Sequence, residues 1–199
     1  MAGDGRHRLV PDTRALVLTI SDGVAAGDRA DESGAVLAER LALLGAVVER
    51  DVVADDRAAI ADRIRRAAAA VPLIVTTGGT GLTPRDVTPQ AARAVLDYEI
   101  PGIGEAMRAA GRASTPLADL SRSLAGVCGR ALVICVPGSP RGAGESLAAV
   151  EPLLAHALET LAGPHDHGRP APATRPGGHA AGSPATRPGA HDGVEGDRD

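Results

Sequence analysis

Apolar residues follow two different rhythms along the chain. Short aliphatic runs recur at "ALVLTI" (Ala15 to Ile20), "AVVERDVV" (Ala46 to Val53), "LIVTT" (Leu73 to Thr77) and "ALVICV" (Ala131 to Val136). They have the length and residue types of strands. Between them the apolar residues fall at helical spacing. Val36, Leu37, Leu41 and Leu44 share one face, and Gly45 stops that helix. Ile60, Ile64, Ala67 and Val71 mark a second helix. Leu147, Val150, Leu154, Leu158 and Leu161 mark the last one, with Pro152 a candidate kink near its middle. The segment from Thr88 to Ala113 reads as one or two helices broken at "IPGIG", and "LSRSLAG" leads into a further strand. Strands alternating with amphipathic helices predict an α/β, three-layer domain: a mainly parallel sheet covered by helices on both faces.

The rhythm stops at Gly163. From there to Asp199 the chain is mostly Gly, Pro, Ala, Arg and His, and "PATRPGGH" is nearly repeated as "PATRPGAH". Such a segment cannot bury enough apolar surface to offset its ordering entropy, so residues 163–199 are expected to be a disordered tail. His165, His167, His179 and His191 lie there with nothing to fix a metal geometry. Residues 1–13 read as a flexible N-terminus, which leaves 14–162 as the folded domain.

Composition narrows the possible functions. Among 199 residues Phe and Trp are absent and Tyr98 is the sole aromatic, so the core is aliphatic and no platform for stacking bases exists. The formal net charge of -4 and the lack of a basic patch speak against nucleic acid. Lysine is absent, which excludes a Walker-type phosphate loop. Cys128 and Cys135 have no metal-type spacing and read as buried thiols of a reducing cytoplasm. "MAGDGRHRLVPDTR" lacks the apolar core of a signal peptide, and no run reaches membrane-spanning length. A soluble cytoplasmic protein is expected. His7 and His156 form no recognisable triad with a serine, and G-x-S-x-G is missing, so nucleophilic serine or cysteine catalysis is rejected.

In parallel sheets, ligands bind beyond the carboxyl ends of the strands. The loops there are "SDGVAAGD", "ADD", "GGTGLTPRD" and "PGSPRG". Gly78, Gly79 and Gly81 would let backbone approach an anion, and Thr80 adds a hydroxyl; a tight strand-to-helix turn explains the same glycines equally well. Thr88-Pro89 has the form of a helix N-cap followed by proline, which leaves Asp86 superfluous as a cap. A carboxylate beside phosphates repels them unless a cation intervenes, and Mg²⁺ held by one or two carboxylates plus phosphate oxygens answers that need. Pairing of Asp86 with Arg85 is the structural alternative. Asp55 and Asp56, like Ser21 and Asp22, read either as helix caps or as polar groups facing the same ligand edge. "VPGSPRG" is a rigid connector or an anion site at a helix start, with Arg141 adding charge. Ser121 and Arg122 carry little meaning alone.

Taken in order, "TTGGTG…PRDVTP", "PGIGEAMR", "LSR" and "PGSPRG" resemble the MogA/MoaB family of molybdenum-cofactor biosynthesis proteins, which includes the G domain of gephyrin-like proteins. The resemblance runs from about Ala15 to Leu161. It implies a molybdenum cofactor biosynthesis protein fold assembled as a homo-oligomer, usually a trimer. It further implies a molybdopterin adenylyltransferase that joins AMP from Mg-ATP to the terminal phosphate of molybdopterin, releases pyrophosphate and hands its product to a separate molybdate-insertion protein. By matching motif, Asp55 and Asp86 would be the catalytic, Mg²⁺-holding aspartates. Ser21, Asp22, Gly78, Gly79, Thr80, Gly81, Ser121, Pro137, Gly138 and Ser139 would frame the substrates. A MoaB-type relative that binds molybdopterin or assembles with partners without catalysis is the alternative.

The chain departs from the family pattern at several places. Cys135-Val136 stands where Asn-Leu is common, Thr83 where Gly is common and Gln90 where Glu is common, and the first loop lacks its frequent Arg and Tyr. The reading of the tail has a direct test: truncation after Gly163 should leave the thermal midpoint and the gel-filtration volume per mass unchanged. Loss of the oligomer on truncation would contradict it.

Overall fold

The computed structural model describes residues 8–163. The predicted tail with its histidines, and His7, lie outside the described residues. The chain runs through strand β1 (Arg14–Ile20), helix α1 (Asp22–Ala25), α2 (Glu32–Leu43), β2 (Val47–Val53), α3 (Arg57–Ala68), β3 (Leu73–Thr77), α4 (Thr88–Arg93) and β4 (Tyr98–Glu99). It continues through α5 (Pro101–Arg112), a 3-10 turn (Pro116–Leu120), β5 (Leu124–Cys128), β6 (Ala131–Val136) and α6 (Pro140–Ala162). The six strands form one sheet in the order β2-β1-β3-β6-β5-β4. The first four of these lie parallel, while β5 and β4 are antiparallel to their neighbours.

The period-two alternation of the strands divides the core into two layers. Ala15, Val17, Leu73, Val75, Leu132, Ile134 and Val136 face one side, where they meet Leu37 and Leu41 of α2, Met107 of α5 and Leu147, Val150 and Leu154 of α6. Leu16, Leu18, Ile20, Ile74, Val133 and Cys135 face the other side, against Ile60 and Ile64 of α3 and Ala91 and Ala92 of α4. Fully burying each Leu, Ile or Val contributes roughly 1.5–3 kcal/mol, so an aliphatic core without large aromatics suffices. Arg40 of α2 and Glu151 of α6 are ion-paired over one layer, and Arg63 of α3 reaches Asp51 of β2 at 2.5 Å over the other.

Several expectations are corrected. The segment between Thr88 and Ala113 contains not only two helices but also β4, whose exposed pair Tyr98–Glu99 joins Val127 and Gly126. Two exposed residues carry no apolar alternation to betray a strand. Thr88 does not cap α4. Val87 occupies the cap position without a side-chain bond, and Pro89 lies in the first turn. The buried Thr88 hydroxyl donates instead to the Gly78 carbonyl at 2.9 Å. Leu9, placed outside the domain by the sequence boundary, is buried in the core, and its N–H donates to the Leu44 carbonyl at 2.9 Å. Helix α6 continues through Pro152, an exposed residue, so water can serve the carbonyl that the proline leaves without a partner. Among the described residues no helix is long and apolar enough to cross a membrane.

Candidate active site

Parallel pairing aligns the strand ends that carry the site. Thr19 of β1 is level with Thr77 of β3, and Thr77 is level with Val136 of β6. The loops leaving these strands therefore emerge side by side. Gly78 has φ +100°, and a Cβ there would lie 2.2 Å from the Ile20 carbonyl oxygen, so no other residue fits. Gly79 has φ +61°, and its Cβ would lie 2.3 Å from the Thr88 hydroxyl and 3.3 Å from an Asp55 carboxylate oxygen. From the β6 side Gly138 closes up to 3.0 Å between its own Cβ position and the Gly78 Cα. These contacts draw the first, third and last strand-end loops into one wall.

The acidic residues take distinct positions on that wall. Asp56 caps α3 by accepting from the Ala59 N–H at 2.8 Å, which frees Asp55 from that task. Asp55 and Asp22 instead brace each other. The Asp22 N–H donates to Asp55 Oδ2 at 2.9 Å, and the Asp55 N–H donates to Asp22 Oδ1 at 3.0 Å. Arg85 donates to the same Asp22 carboxylate through Nε at 3.1 Å and through Nη2. The predicted alternative pairing of Arg85 with Asp86 does not occur. The bonds from Arg85 and from the Asp55 N–H hold the Asp22 carboxyl below its usual pKa.

Asp86 closes its own loop. Its Oδ2 accepts from the Thr83 N–H at 2.8 Å and from the Thr83 hydroxyl at 2.6 Å, and it lies 3.0 Å from the Cβ position of Gly81. Burial works to raise the Asp86 pKa, but the Thr83 donors, the Gly81 N–H and the Arg122 charge outweigh it and leave the carboxyl below its usual range. Thr83 thus supplies both its N–H and its hydroxyl to the loop carboxylate. Its φ is not positive, so the side chain costs the backbone nothing there. Arg122 secures the loop from the far side: its N–H donates to the Thr80 carbonyl at 3.0 Å, and its guanidinium donates to the Gly81 carbonyl at 2.8 Å and to the Asp86 carbonyl.

The loops enclose a cleft of about 510 Å³ lined by Ser21, Asp55, Gly78, Gly79, Asp86 and Gly138 of the predicted set. Asp22 reaches it through its bonds to Asp55 and Arg85. Thr80 is buried and Gly81 backs Asp86, and neither lines the cleft. Ser121, Pro137 and Ser139 line a separate, mainly apolar hollow of about 210 Å³ beside Met107 and Leu117. Alternate residues of the loop after β6 therefore serve two cavities. Cys135 and Val136 line neither. Both are fully buried in the sheet's two core layers, and burial pushes the Cys135 thiol up to about 11. Cys128 is likewise a buried free thiol.

Further cleft residues escape the loop motifs: Thr19, Arg29, Asp31, Glu32 and Ser33. Asp31 carries the ordinary signal of an N-cap before α2. It does cap, accepting from the Gly34 N–H at 2.9 Å, while also binding the Thr19 hydroxyl at 2.9 Å and Arg50 at 2.6 Å. Nothing in its local sequence distinguishes that added role.

Strand order and cleft position define an α/β ligand-binding domain with its site at the carboxyl ends of parallel strands. Residues 16–156 match the family described as a probable molybdopterin binding domain, and the chain belongs to that family. It is 44% identical over 156 residues to a molybdenum cofactor biosynthesis bifunctional protein of Synechococcus elongatus, covering 77% of this chain and 49% of the relative. The chain spans about half the length of that relative and of the corresponding Chlorobaculum tepidum protein. A molybdopterin adenylyltransferase of Helicobacter pylori is 36% identical over 152 residues, covering 74% of this chain and 86% of the relative. Among solved structures, the molybdopterin biosynthesis enzyme MoaB of Thermus thermophilus superposes with a TM-score of 0.70 at 45% identity, covering 75% of this chain and 96% of that one.

The Thr83–Asp86 contact generates a titration test. Asp86 has a lowered folded-state pKa, so its contribution to stability is present above the ordinary aspartate value and is lost as pH falls through the lowered one. Carboxyl-carbon NMR should give Asp86 a midpoint below ordinary aspartate, and T83V, which removes only the hydroxyl donor, should raise it. An unchanged midpoint in T83V would remove the hydroxyl from the balance.

Proposed function

We propose that the chain is a molybdopterin adenylyltransferase, joining AMP from Mg-ATP to the terminal phosphate of molybdopterin with release of pyrophosphate. The observation that carries this reading is the meeting of Asp55 and Asp86 on the glycine loop, in one cleft at the strand ends. The relatives named molybdopterin adenylyltransferase support it. In the reaction a terminal phosphate oxygen of molybdopterin forms a bond to the α-phosphorus, and the bond to the β-phosphate oxygen breaks. Both partners are anions, so the protein's task is positioning and charge compensation.

This chain's residues are suited to that task. Gly78 and Gly79 present backbone without side chains, so a phosphate can approach closely. The N-terminal end of α6 contributes Gly138 and Pro140 to the cleft, and its partial positive charge favours an anion. Ser21 and Asp22 hold the first loop, while Asp22 fixes Asp55 through the reciprocal backbone bonds. Ser121, Pro137 and Ser139 would face the pterin from the adjoining hollow.

A divalent cation fits the donor set. Asp55 and Asp86 offer hard carboxylate oxygens in one cleft, and among the described residues no group of three or more His, Cys, Asp or Glu forms a metal cage. That pattern suits Mg²⁺, which is usually held by one or two carboxylates and completed by phosphate oxygens and water. When bound there it would neutralise phosphate charge. Assembly as a homotrimer, cytoplasmic action and delivery of the product to a molybdate-insertion protein follow from the family resemblance.

The test is turnover with molybdopterin, Mg²⁺ and ATP. Wild-type protein should yield the adenylylated pterin and pyrophosphate. D86N should lose on the order of 10²-fold or more in kcat while keeping its thermal midpoint within a few degrees, the scale seen when one charge-stabilising group is removed from an active site. Unchanged turnover in D86N would remove Asp86 from the mechanism. Absence of product from wild-type protein with pterin demonstrably bound would leave the non-catalytic MoaB-type role.

A further inference from the structure

The loop motifs do not single out Arg29, yet it lines the same cleft. It sits between α1 and α2 and turns back across Gly23. A Cβ at position 23 would lie 3.3 Å from Arg29 Nε and 3.6 Å from its Cγ and Cδ. The bare glycine therefore gives the guanidinium a seat over α1, from which Nη2 donates to the Ser21 hydroxyl at 2.9 Å.

Charge distinguishes Arg29 from the other arginine of the cleft wall. Arg85 is ion-paired with Asp22. Arg50, which approaches from β2, is paired with Asp31 at 2.6 Å. Among the described residues Arg29 has no carboxylate partner and bonds only the Ser21 hydroxyl. One hydroxyl leaves most of its five N–H donors without a protein acceptor. Ser21 itself is buried at 7% exposure, and its Oγ accepts from the Val24 N–H at 3.3 Å as well as from Arg29. With both bonds arriving at that oxygen, and none donated to a described residue, the hydroxyl hydrogen is available to an acceptor in the cleft.

We infer that Arg29 and Ser21 together bind a phosphate group of the cleft's ligand. The inference rests on the nucleotide reading above and deepens it by naming the fixed cation. A guanidinium beside a hydroxyl offers several convergent donors, and phosphate oxygens are their matching acceptors. The need is electrostatic. Glu32, Asp55 and Asp86 also line the cleft, so a polyphosphate entering it meets negative charge that a mobile divalent cation offsets only while bound. Arg29 supplies compensation that is part of the chain. Arg29 brings a guanidinium to the cleft from six residues beyond Gly23.

Calorimetric titration of the full chain with pyrophosphate, ATP and adenosine, each with Mg²⁺, tests the inference. R29Q is the informative variant because Arg29 is exposed and glutamine removes the charge while keeping a polar side chain. R29Q should weaken pyrophosphate and ATP about 10-fold or more, the scale of a lost hydrogen bond to a charged group, and leave adenosine within about 2-fold. Raised salt should weaken pyrophosphate binding more in wild-type protein than in R29Q. Undiminished pyrophosphate binding in R29Q would overturn the inference. So would an equal loss for adenosine and ATP, which would make Arg29 only a brace for α1. Wild-type protein that binds pyrophosphate but not ATP would contradict the nucleotide reading while the Arg29 comparison is still decided on pyrophosphate. Wild-type protein that binds neither would overturn both.

Discussion

Loops leaving neighbouring parallel strands can share a wall only if no side chain stands between them. Gly78 meets that condition twice. Its missing Cβ leaves room for the Ile20 carbonyl on the β1 side, and its Cα touches the space that a side chain at position 138 would need on the β6 side. The cost of glycine is the entropy of its unfolded state, on the order of 0.5–1 kcal/mol relative to alanine. What it permits is the convergence of three strand ends, from which the rest of the site follows. Thr88 then secures the loop by donating its hydroxyl to the Gly78 carbonyl, and Gly79 lies against that hydroxyl and an Asp55 oxygen.

On that frame the cleft is arranged by electrostatics. Asp22 is the junction: its carboxylate accepts from the Asp55 N–H, its own N–H donates to the Asp55 carboxylate, and it takes up the charge of Arg85. Asp86 is held by donors from Thr83 within its own loop, while Arg122 fixes that loop's carbonyls from outside the cleft. Both carboxylates of the proposed reaction are therefore positioned mainly by neutral donors, and neither is tied to an arginine side chain within ion-pair distance among the described residues. Such carboxylates keep free oxygens for a cation that arrives with the ligand.

Much of the fold was legible because its signals are periodic. The continuous apolar runs of β1, β3 and β6 predict burial on both faces, and the two core layers divide at those positions. What escaped was short or locally ambiguous. Strand β4 has two exposed residues, and Leu9 lies in a polar N-terminal stretch although it packs under α2's last turn region through its bond to Leu44. At the site, the glycine loop and both aspartates stood out from sequence, but the choice between Asp55 and Asp56 as helix cap needed the backbone. Asp31 caps α2, and its approach to Thr19 and Arg50 depends on tertiary packing that no local motif encodes. The loop after β6 forms one contiguous motif in the sequence, whereas its alternate residues face different cavities.

The proposed reaction requires that the cleft assembled by Gly78, Asp55 and Asp86 receive the nucleotide. Amide NMR during titration with Mg-ATP tests it most directly. The largest shifts should fall on Ser21, Gly78, Gly79 and Asp86, with smaller ones at Gly138. Shifts confined to the hollow beside Met107 and Leu117, or no shifts at saturating nucleotide, would contradict it.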